Sequence, residues 1–125
     1  MNDKVKYWLD LAIEDIDVAK GLLNIDKILY AGFICHLAVE KALKARIESI
    51  SETPLKTHNL IRLAELGNLE MSEEQLGLFQ RLNPLQIEAR YPTYKQIITD
   101  ILTKEDCSKL IEQAEEVILW IKKQL

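Results

Sequence analysis

Two histidines, His36 and His58, are the side chains that could exchange protons near neutral pH. Imidazole populates both protonation states there because its unperturbed pKa is about 6.5. His58 follows Thr57, which could cap a helix, and a helix dipole would favour the neutral ring that a general base requires. The alternative is that the ring satisfies backbone groups of the turn over residues 51–57. His36 falls inside a long apolar pattern, where we expect a packing or surface residue.

A cation suited to phosphate stands at Arg90, in a stretch broken by Pro92. Functional residues concentrate in irregular segments, and a guanidinium can hold a phosphate through two parallel hydrogen bonds. Tyr91, the next residue, could contribute to the same ligand site. The alternative is that Arg90 pairs with Glu40 or Glu88 and pins this segment to the core, with Tyr91 as a core or interface aromatic.

Charge and cysteine content exclude several classes of function. The chain has 16 basic and 20 acidic residues and a net charge of −4, so no overall positive field draws it to double-stranded DNA. Cys35 and Cys107 lack metal-ligand spacing, and we predict no metal or other cofactor. No signal core follows the N-terminus, and no run of about 18 uncharged apolar residues could span a membrane. We therefore expect a cytoplasmic protein without membrane association.

Apolar residues recur at steps of three and four, the period of amphipathic helices. The 125 residues suffice for one domain, 1–125, and with only 4 Gly and 3 Pro they favour long helices. The predicted helices are 4–23, 26–49 capped by Asp26, 58–66 between Thr57 and Gly67, 72–83 with a capping box from Ser72 to Gln75, and a last helix capped by Thr103. Pro92 leaves residues 85–103 unassigned. The sequence predicts an all-α, up-and-down antiparallel bundle of four to five helices.

The second predicted helix is long and rich in alanine. Small residues let neighbouring helices approach closely, so we expect it to pack on more than one side. Lys41 and Lys44 lie on this helix and could extend a phosphate-binding surface, although charges along a helix usually form a solvated face. Glu40 stands one turn before Lys44, the order that favours an ion pair.

Three separated motifs together resemble one protein family. Residues 38–45 (AVEKALKA) look like the central helix signature of HEPN domains, the higher eukaryotes and prokaryotes nucleotide-binding family. Residues 56–60 (KTHNL) resemble the family's turn into its third helix, and residues 89–92 (ARYP) resemble its Arg-Tyr-Pro segment. The motifs occur in the family's order, and the similarity extends over nearly the whole chain.

The resemblance implies a helical bundle that commonly forms homodimers. Many members are metal-independent ribonucleases, often toxins paired with a minimal nucleotidyltransferase encoded beside them. Their activity depends on an arginine followed four to six residues later by a histidine, at the dimer cleft. Here Arg90 takes the arginine position, but Lys95 stands where the histidine is expected. A protonated lysine is a poor base, although it could clamp a phosphate.

We therefore predict a HEPN-like homodimer that serves as an accessory or binding component of a two-gene, toxin–antitoxin-like module with a minimal nucleotidyltransferase partner. Its dimer cleft would bind nucleotide or RNA phosphate without catalysis. The ligand-binding residues would be Arg90, Tyr91, Lys41 and Lys44. One alternative is a metal-independent endoribonuclease toxin, with Arg90 as phosphate clamp and His58 or Lys95 transferring protons. The other is a structural helical dimer without a ligand.

Overall fold

The regular structure is helical throughout the residues that the computed structural model describes, which are 2–54, 56–88 and 102–125. Five helices and one four-residue helical turn follow one another there. They are α1 (Asp3–Asn24), α2 (Ile28–Ser49), α3 (Leu60–Leu66), α4 (Glu73–Leu82), the turn α5 (Leu85–Glu88) and α6 (Lys104–Gln124). Residues 25–27 alone connect α1 to α2, which pack along each other as an antiparallel pair. The prediction of an all-α helical bundle is confirmed.

The helix α2 is the centre of the fold, since it contacts each of the other helical elements. Its alanines Ala31, Ala38, Ala42 and Ala45 are completely buried. Because a methyl group adds little width, neighbouring helices can approach α2 on several sides. The expectation of more than one packed side is confirmed. Glu40 lies buried among these apolar neighbours and requires partners there.

The helices α1 and α6 complete the main core by turning one apolar stripe each toward α2 and toward each other. The buried residues of α1 are Val5, Leu9, Ala12, Ile16, Ala19 and Leu23. Those of α6 are Cys107, Leu110, Ile111, Ala114, Val117, Ile118 and Ile121. Both sets recur at the three- and four-residue steps by which the sequence predicted amphipathic helices.

Left-handed residues follow the first three helices, and two of them correct the sequence prediction. Asp26 (φ 61°), Ser51 (φ 62°) and Asn68 (φ 52°) each follow a helix whose last carbonyls accept hydrogen bonds in the Schellman pattern. Asp26 therefore ends α1 instead of capping α2, which begins at Ile28. Asn68 takes the left-handed position predicted for Gly67, whose φ is −79°.

The predicted capping residues are confirmed at the starts of α4 and α6, and besides Asp26 the one predicted for α3 is wrong. Ser72 with Gln75, and Thr103 with Asp106, form reciprocal capping boxes at the starts of α4 and α6. The helix α3 begins at Leu60, and its cap is Asn59, whose side-chain oxygen accepts from the second and third residues of the helix. Thr57 was predicted as this cap, which is wrong. Its hydroxyl instead accepts from the backbone of Asn59 at 3.2 Å.

Within residues 2–54, 56–88 and 102–125, no helix is both long enough and apolar enough to cross a membrane.

Candidate functional site

Three polar side chains, His36, Glu40 and Lys44, stand one helical turn apart on α2. Residues at four-residue steps share one face of a helix, so the three side chains form a row. This row faces the segment that precedes α3, because both His36 and Glu40 form hydrogen bonds with His58. The chain reaches this position through the left-handed turn at Ser51, which reverses its direction after α2.

Glu40 lies at the centre of the row and accepts a hydrogen bond on each carboxylate oxygen. Its Oε1 lies 2.8 Å from Nδ1 of His58, and its Oε2 lies 3.0 Å from Nζ of Lys44. Glu40 is 4% exposed, whereas the side chain of His58 is 44% exposed. A buried carboxylate thus holds one edge of an imidazole whose body reaches the surface. This arrangement orients histidines in many acid–base and metal sites.

The ionisation of Glu40 follows from two opposing effects. Burial would raise the pKa of this carboxyl, but the hydrogen bonds from His58 and Lys44, together with the positive charge of Lys44, lower it below its ordinary value. Glu40 is therefore an anion at neutral pH and can only accept hydrogen bonds. It follows that Nδ1 of His58 carries a proton and donates it to Glu40.

His36 holds the backbone of the same histidine. Its Nε2 lies 2.9 Å from the carbonyl oxygen of His58, and since a carbonyl only accepts, Nε2 must donate. The other ring nitrogen, Nδ1, is buried without a hydrogen-bond partner among the described residues and lies 3.9 Å from Oε1 of Glu40. Burial lowers the pKa of His36, so the ring is neutral at neutral pH. His36 and Glu40 together fix both the backbone and the ring of His58.

An open groove of about 440 Å³ lies on the exposed side of His58. We call it the His58 groove, and its lining residues are Lys56, Thr57, His58, Asn59, Asn83 and Gln86. These side chains supply ammonium, hydroxyl, imidazole and amide groups, and none of the lining residues is acidic. Such a lining suits a ligand with phosphate oxygens and hydroxyl groups.

Asn83, at the end of α4, links α4 to the start of α3 at the groove through two hydrogen bonds. Its Oδ1 accepts from the backbone N–H of Leu60 at 3.0 Å, and its Nδ2 donates to Oδ1 of Asn59 at 3.2 Å. The start of α3 and the end of α4 are therefore joined at one side of the groove. Sequence reasoning missed Asn83, and its position directly before Pro84, where a helix must end, was the only signal.

Lys44 is held from a second direction by an aromatic ring. Its Nζ lies 5.3 Å from the ring centroid of Trp8, a cation–π contact, while it also donates to Glu40. The Trp8 ring meets that of Tyr7 edge to face, with centroids 5.5 Å apart. The start of α1 is in this way connected through Lys44 and Glu40 to His58.

The structure brings together some of the predicted site residues. His58 and Lys44 share the carboxylate of Glu40, whereas Lys41 donates to Oδ2 of Asp15 on α1 at 2.7 Å. Sequence reasoning had considered Glu40 as a partner of Lys44 or of Arg90 but did not assign it to His58. Its signal was a carboxylate within an alanine-rich pattern, which must find a partner if it is buried.

The remaining candidates lie outside the described residues. They are Arg90, Tyr91 and Lys95. Their predicted roles in phosphate binding and proton transfer stay predictions.

The described side chains provide neither a metal-binding cluster nor a reactive thiolate. No group of three or more His, Cys, Asp or Glu within the described ranges is arranged to hold a metal ion. Burial raises the pKa of Cys107 to about 11, and it raises that of Cys35 as well. Both thiols therefore stay protonated near neutral pH, and thiolate is the nucleophilic form.

Comparisons with known proteins agree on the fold. The family model described as HEPN domain matches residues 5–124 of this chain. The crystal structure of TT1696 from Thermus thermophilus is similar, with a TM-score of 0.85 and 19% sequence identity over 99% of this chain and 100% of that chain. At that identity the likeness concerns the fold alone. No curated protein matches the sequence.

Proposed function

Because the chain belongs to the HEPN domain family, we propose that it binds a nucleotide or RNA in the His58 groove. Membership of this family supports a nucleotide-binding, RNA-binding or nuclease-like role. The observation that carries the proposal is the fixed imidazole of His58, held from behind by buried Glu40 and open to the groove. Donors of the groove's amide and ammonium groups would bind phosphate oxygens, the imidazole could accept from a ribose hydroxyl, and Arg90 is the further phosphate ligand that the sequence predicts.

We further propose that the protein acts in a two-gene module as the accessory or binding component, with a minimal nucleotidyltransferase as its partner. The support is the resemblance of three motifs to HEPN domains and the lysine at position 95 in place of a histidine. In this proposal the binding site lies at the cleft of a homodimer. Recovery of a nucleotidyltransferase-like protein with the tagged chain from its native host would support the module. Sedimentation at equilibrium would test the dimer.

Binding itself is tested by titrating a fluorescent single-stranded RNA into the purified protein and following its anisotropy. Lys56 and Lys109 form a matched pair, since both are exposed lysines and only Lys56 lines the groove. We expect His58→Ala to weaken binding about threefold to tenfold, the value of one neutral hydrogen bond, and Lys56→Ala to weaken it about tenfold or more, because the hydrogen bond of an ammonium to phosphate is charged. Lys109→Ala is expected to bind as the wild type does. Equal affinities for all four proteins, or no binding by the wild type, would contradict the proposal.

The same titration tests the predicted role of Arg90. If Arg90 clamps a phosphate, Arg90→Ala should weaken binding by a similar factor, and Arg81→Ala, which removes an exposed arginine from α4, should not. An unchanged affinity of Arg90→Ala would remove Arg90 from the site and leave the groove proposal standing on His58 and Lys56.

The Glu40–His58 pair favours a second candidate, a metal-independent endoribonuclease. Neutral His58 could accept the proton of a ribose 2′-hydroxyl at Nε2, while Glu40 stabilises the imidazolium that forms. This candidate predicts growth arrest and RNA cleavage on expression, relieved by His58→Ala and by Arg90→Ala. A harmless wild-type chain in cells with intact RNA would rule it out and leave the binding role.

A further inference from the structure

Glu40 receives a hydrogen bond from each side, and both partners are donors. Lys44 Nζ has only protons to offer, and it lies 3.0 Å from Oε2. The His58 Nδ1 atom lies 2.8 Å from Oε1. A carboxylate has two oxygens that can each accept a hydrogen bond at the same time. Its two acceptors and its negative charge therefore match the two donors, His58 and Lys44.

This arrangement selects one tautomer of His58. A neutral imidazole carries one proton, and if Nδ1 donates to Glu40, Nε2 has a bare lone pair. Nε2, the other ring nitrogen, has no hydrogen bond to a described residue, and the side chain of His58 is 44% exposed and lines the groove. His36 adds a second restraint, since its bond to the His58 carbonyl prevents the backbone from turning the ring away.

We propose that Glu40 is a positioning residue that holds the Nδ1–H tautomer of His58, which leaves Nε2 as a hydrogen-bond acceptor, and that the groove thereby selects a ribose 2′-hydroxyl. This rests on the proposed function and narrows its ligand to RNA over DNA. The 2′-hydroxyl is the group by which a protein tells the two apart, and it can donate to Nε2. The neighbouring amides of Asn59 and Gln86 can serve its acceptor side or the adjacent phosphate.

A glutamine at position 40 would break this selection for a physical reason. The amide has one accepting oxygen and one donating nitrogen, but its two neighbours both donate. If the oxygen turns to the Lys44 ammonium, the amide nitrogen faces His58 and donates to Nδ1. The ring must then carry its proton on Nε2, which turns the groove-facing atom from an acceptor into a donor.

A second substitution should restore the first tautomer. Lys44→Met removes the ammonium and keeps an unbranched stem of similar length beside Trp8. In the double variant Glu40→Gln/Lys44→Met, the glutamine oxygen is free to turn to His58 and accept from Nδ1. A merely structural role of Glu40 does not predict this recovery.

The tautomer is measured by ¹⁵N–¹H correlation spectra of the imidazole rings, recorded over a range of pH. We expect the proton on Nδ1 in the wild type, on Nε2 in Glu40→Gln, and on Nδ1 again in the double variant. If the wild type carries the proton on Nε2, the proposal is overturned, whatever the variants do.

The ligand selection is measured with short single-stranded oligouridine and its deoxyuridine counterpart, which differ only in the 2′-hydroxyl. The wild type should bind the ribo form about threefold to tenfold more tightly, the value of one hydrogen bond. The ratio should fall to about one in Glu40→Gln and recover in the double variant, even if Lys44→Met lowers both affinities equally. Equal wild-type affinities, with binding still lost in His58→Ala, would overturn the selection and leave the proposed function. No binding of either form would overturn both.

Discussion

At the scale of single residues, the site depends on two polar groups that α2 carries into the core. Glu40 has two donors and is satisfied, whereas Nδ1 of His36 has no partner among the described residues. A buried polar atom left unpaired costs about 1–3 kcal/mol. The other ring nitrogen, Nε2, donates to the carbonyl of His58 and fixes the backbone there. Because burial outweighs the attraction of the nearby Glu40 carboxylate and lowers the pKa of His36, the fold requires the neutral ring near neutral pH.

This requirement gives stability a pH dependence that His36 controls. Burial lowers the pKa of His36 below 6.5 in the fold, so the unfolded chain takes up the proton more readily. The stabilisation is present above about pH 6.5 and is lost as pH falls below it, with a slope of at most about 1.4 kcal/mol per pH unit. Glu40, whose pKa lies below its ordinary 4.5, contributes a further loss only in more acidic solution.

Urea denaturation at about pH 7 and pH 5 tests this expectation. His36→Gln keeps an N–H for the His58 carbonyl but cannot titrate, so its stability should fall less between the two values than that of the wild type. Lys109→Ala should keep the wild-type difference. An identical pH difference in His36→Gln and the wild type would show that His36 does not titrate on unfolding.

The part played by single residues was only partly predictable. His58 was identified because it is one of two histidines and lies beside a helix start. Its partner Glu40 lies 18 positions earlier, and which turn of α2 the returning chain meets depends on the left-handed reversal at Ser51. The pattern of apolar residues does not determine which turn of α2 lies against the segment that carries His58. The pairing therefore emerged only with the structure.

At the scale of elements, the bundle depends on how closely its helices meet at α2. Gly32 makes this plain, since an added Cβ would lie 3.1 Å from Cδ1 of Leu85 and 3.5 Å from Cδ2 of Leu102. The turn α5, which carries Gln86 at the groove, is thus packed against a position of α2 that has no side chain. Alanine at this position would require the Leu85 side chain to move by a few tenths of an ångström.

Gly21 of α1 provides a matched comparison, because an added Cβ there meets nothing within 4 Å. Gly21→Ala should raise the free energy of unfolding by about 0.5–1 kcal/mol, the helix propensity difference. Gly32→Ala should lose that gain to crowding against Leu85 and be no more stable than the wild type. Chemical denaturation measures both. Equal stabilisation by the two substitutions would contradict the close packing of α5 on α2.

The capping residues of α4 and α6 were predictable, whereas those of α2 and α3 and the left-handed residues after the helices were not. Ser72 and Thr103 were recognised because a capping box is a local pattern of side chains. The left-handed position after a helix is less specific, since Asp26 and Ser51 occupy it here and Gly67 does not. The misplaced cap at Thr57 has the same cause, as Asn59 is an equally good cap and only tertiary contacts with Asn83 decide between them.

At the scale of the whole molecule, the net charge of −4 predicts how strongly RNA affinity should depend on salt concentration. Without an overall positive field, binding should depend on the few cations at the groove. Single-stranded nucleic acid gives a slope of log affinity against log salt of about −0.7 for each phosphate neutralised. We expect a wild-type slope of about −1 to −2, and a smaller one for Lys56→Ala. A slope far steeper than this would place the nucleic acid on a larger basic surface elsewhere.

The most direct test of the central claim is a map of backbone amide chemical shifts during titration with a short single-stranded RNA. If the His58 groove is the binding site, the largest changes should fall on Lys56 to Asn59 and on Asn83 and Gln86, and His58→Ala should abolish them. The α4–α6 surface around Gln113 and Trp120, which lines a separate pocket, should stay unchanged. Changes concentrated on that surface, with the groove unaffected, would contradict the account.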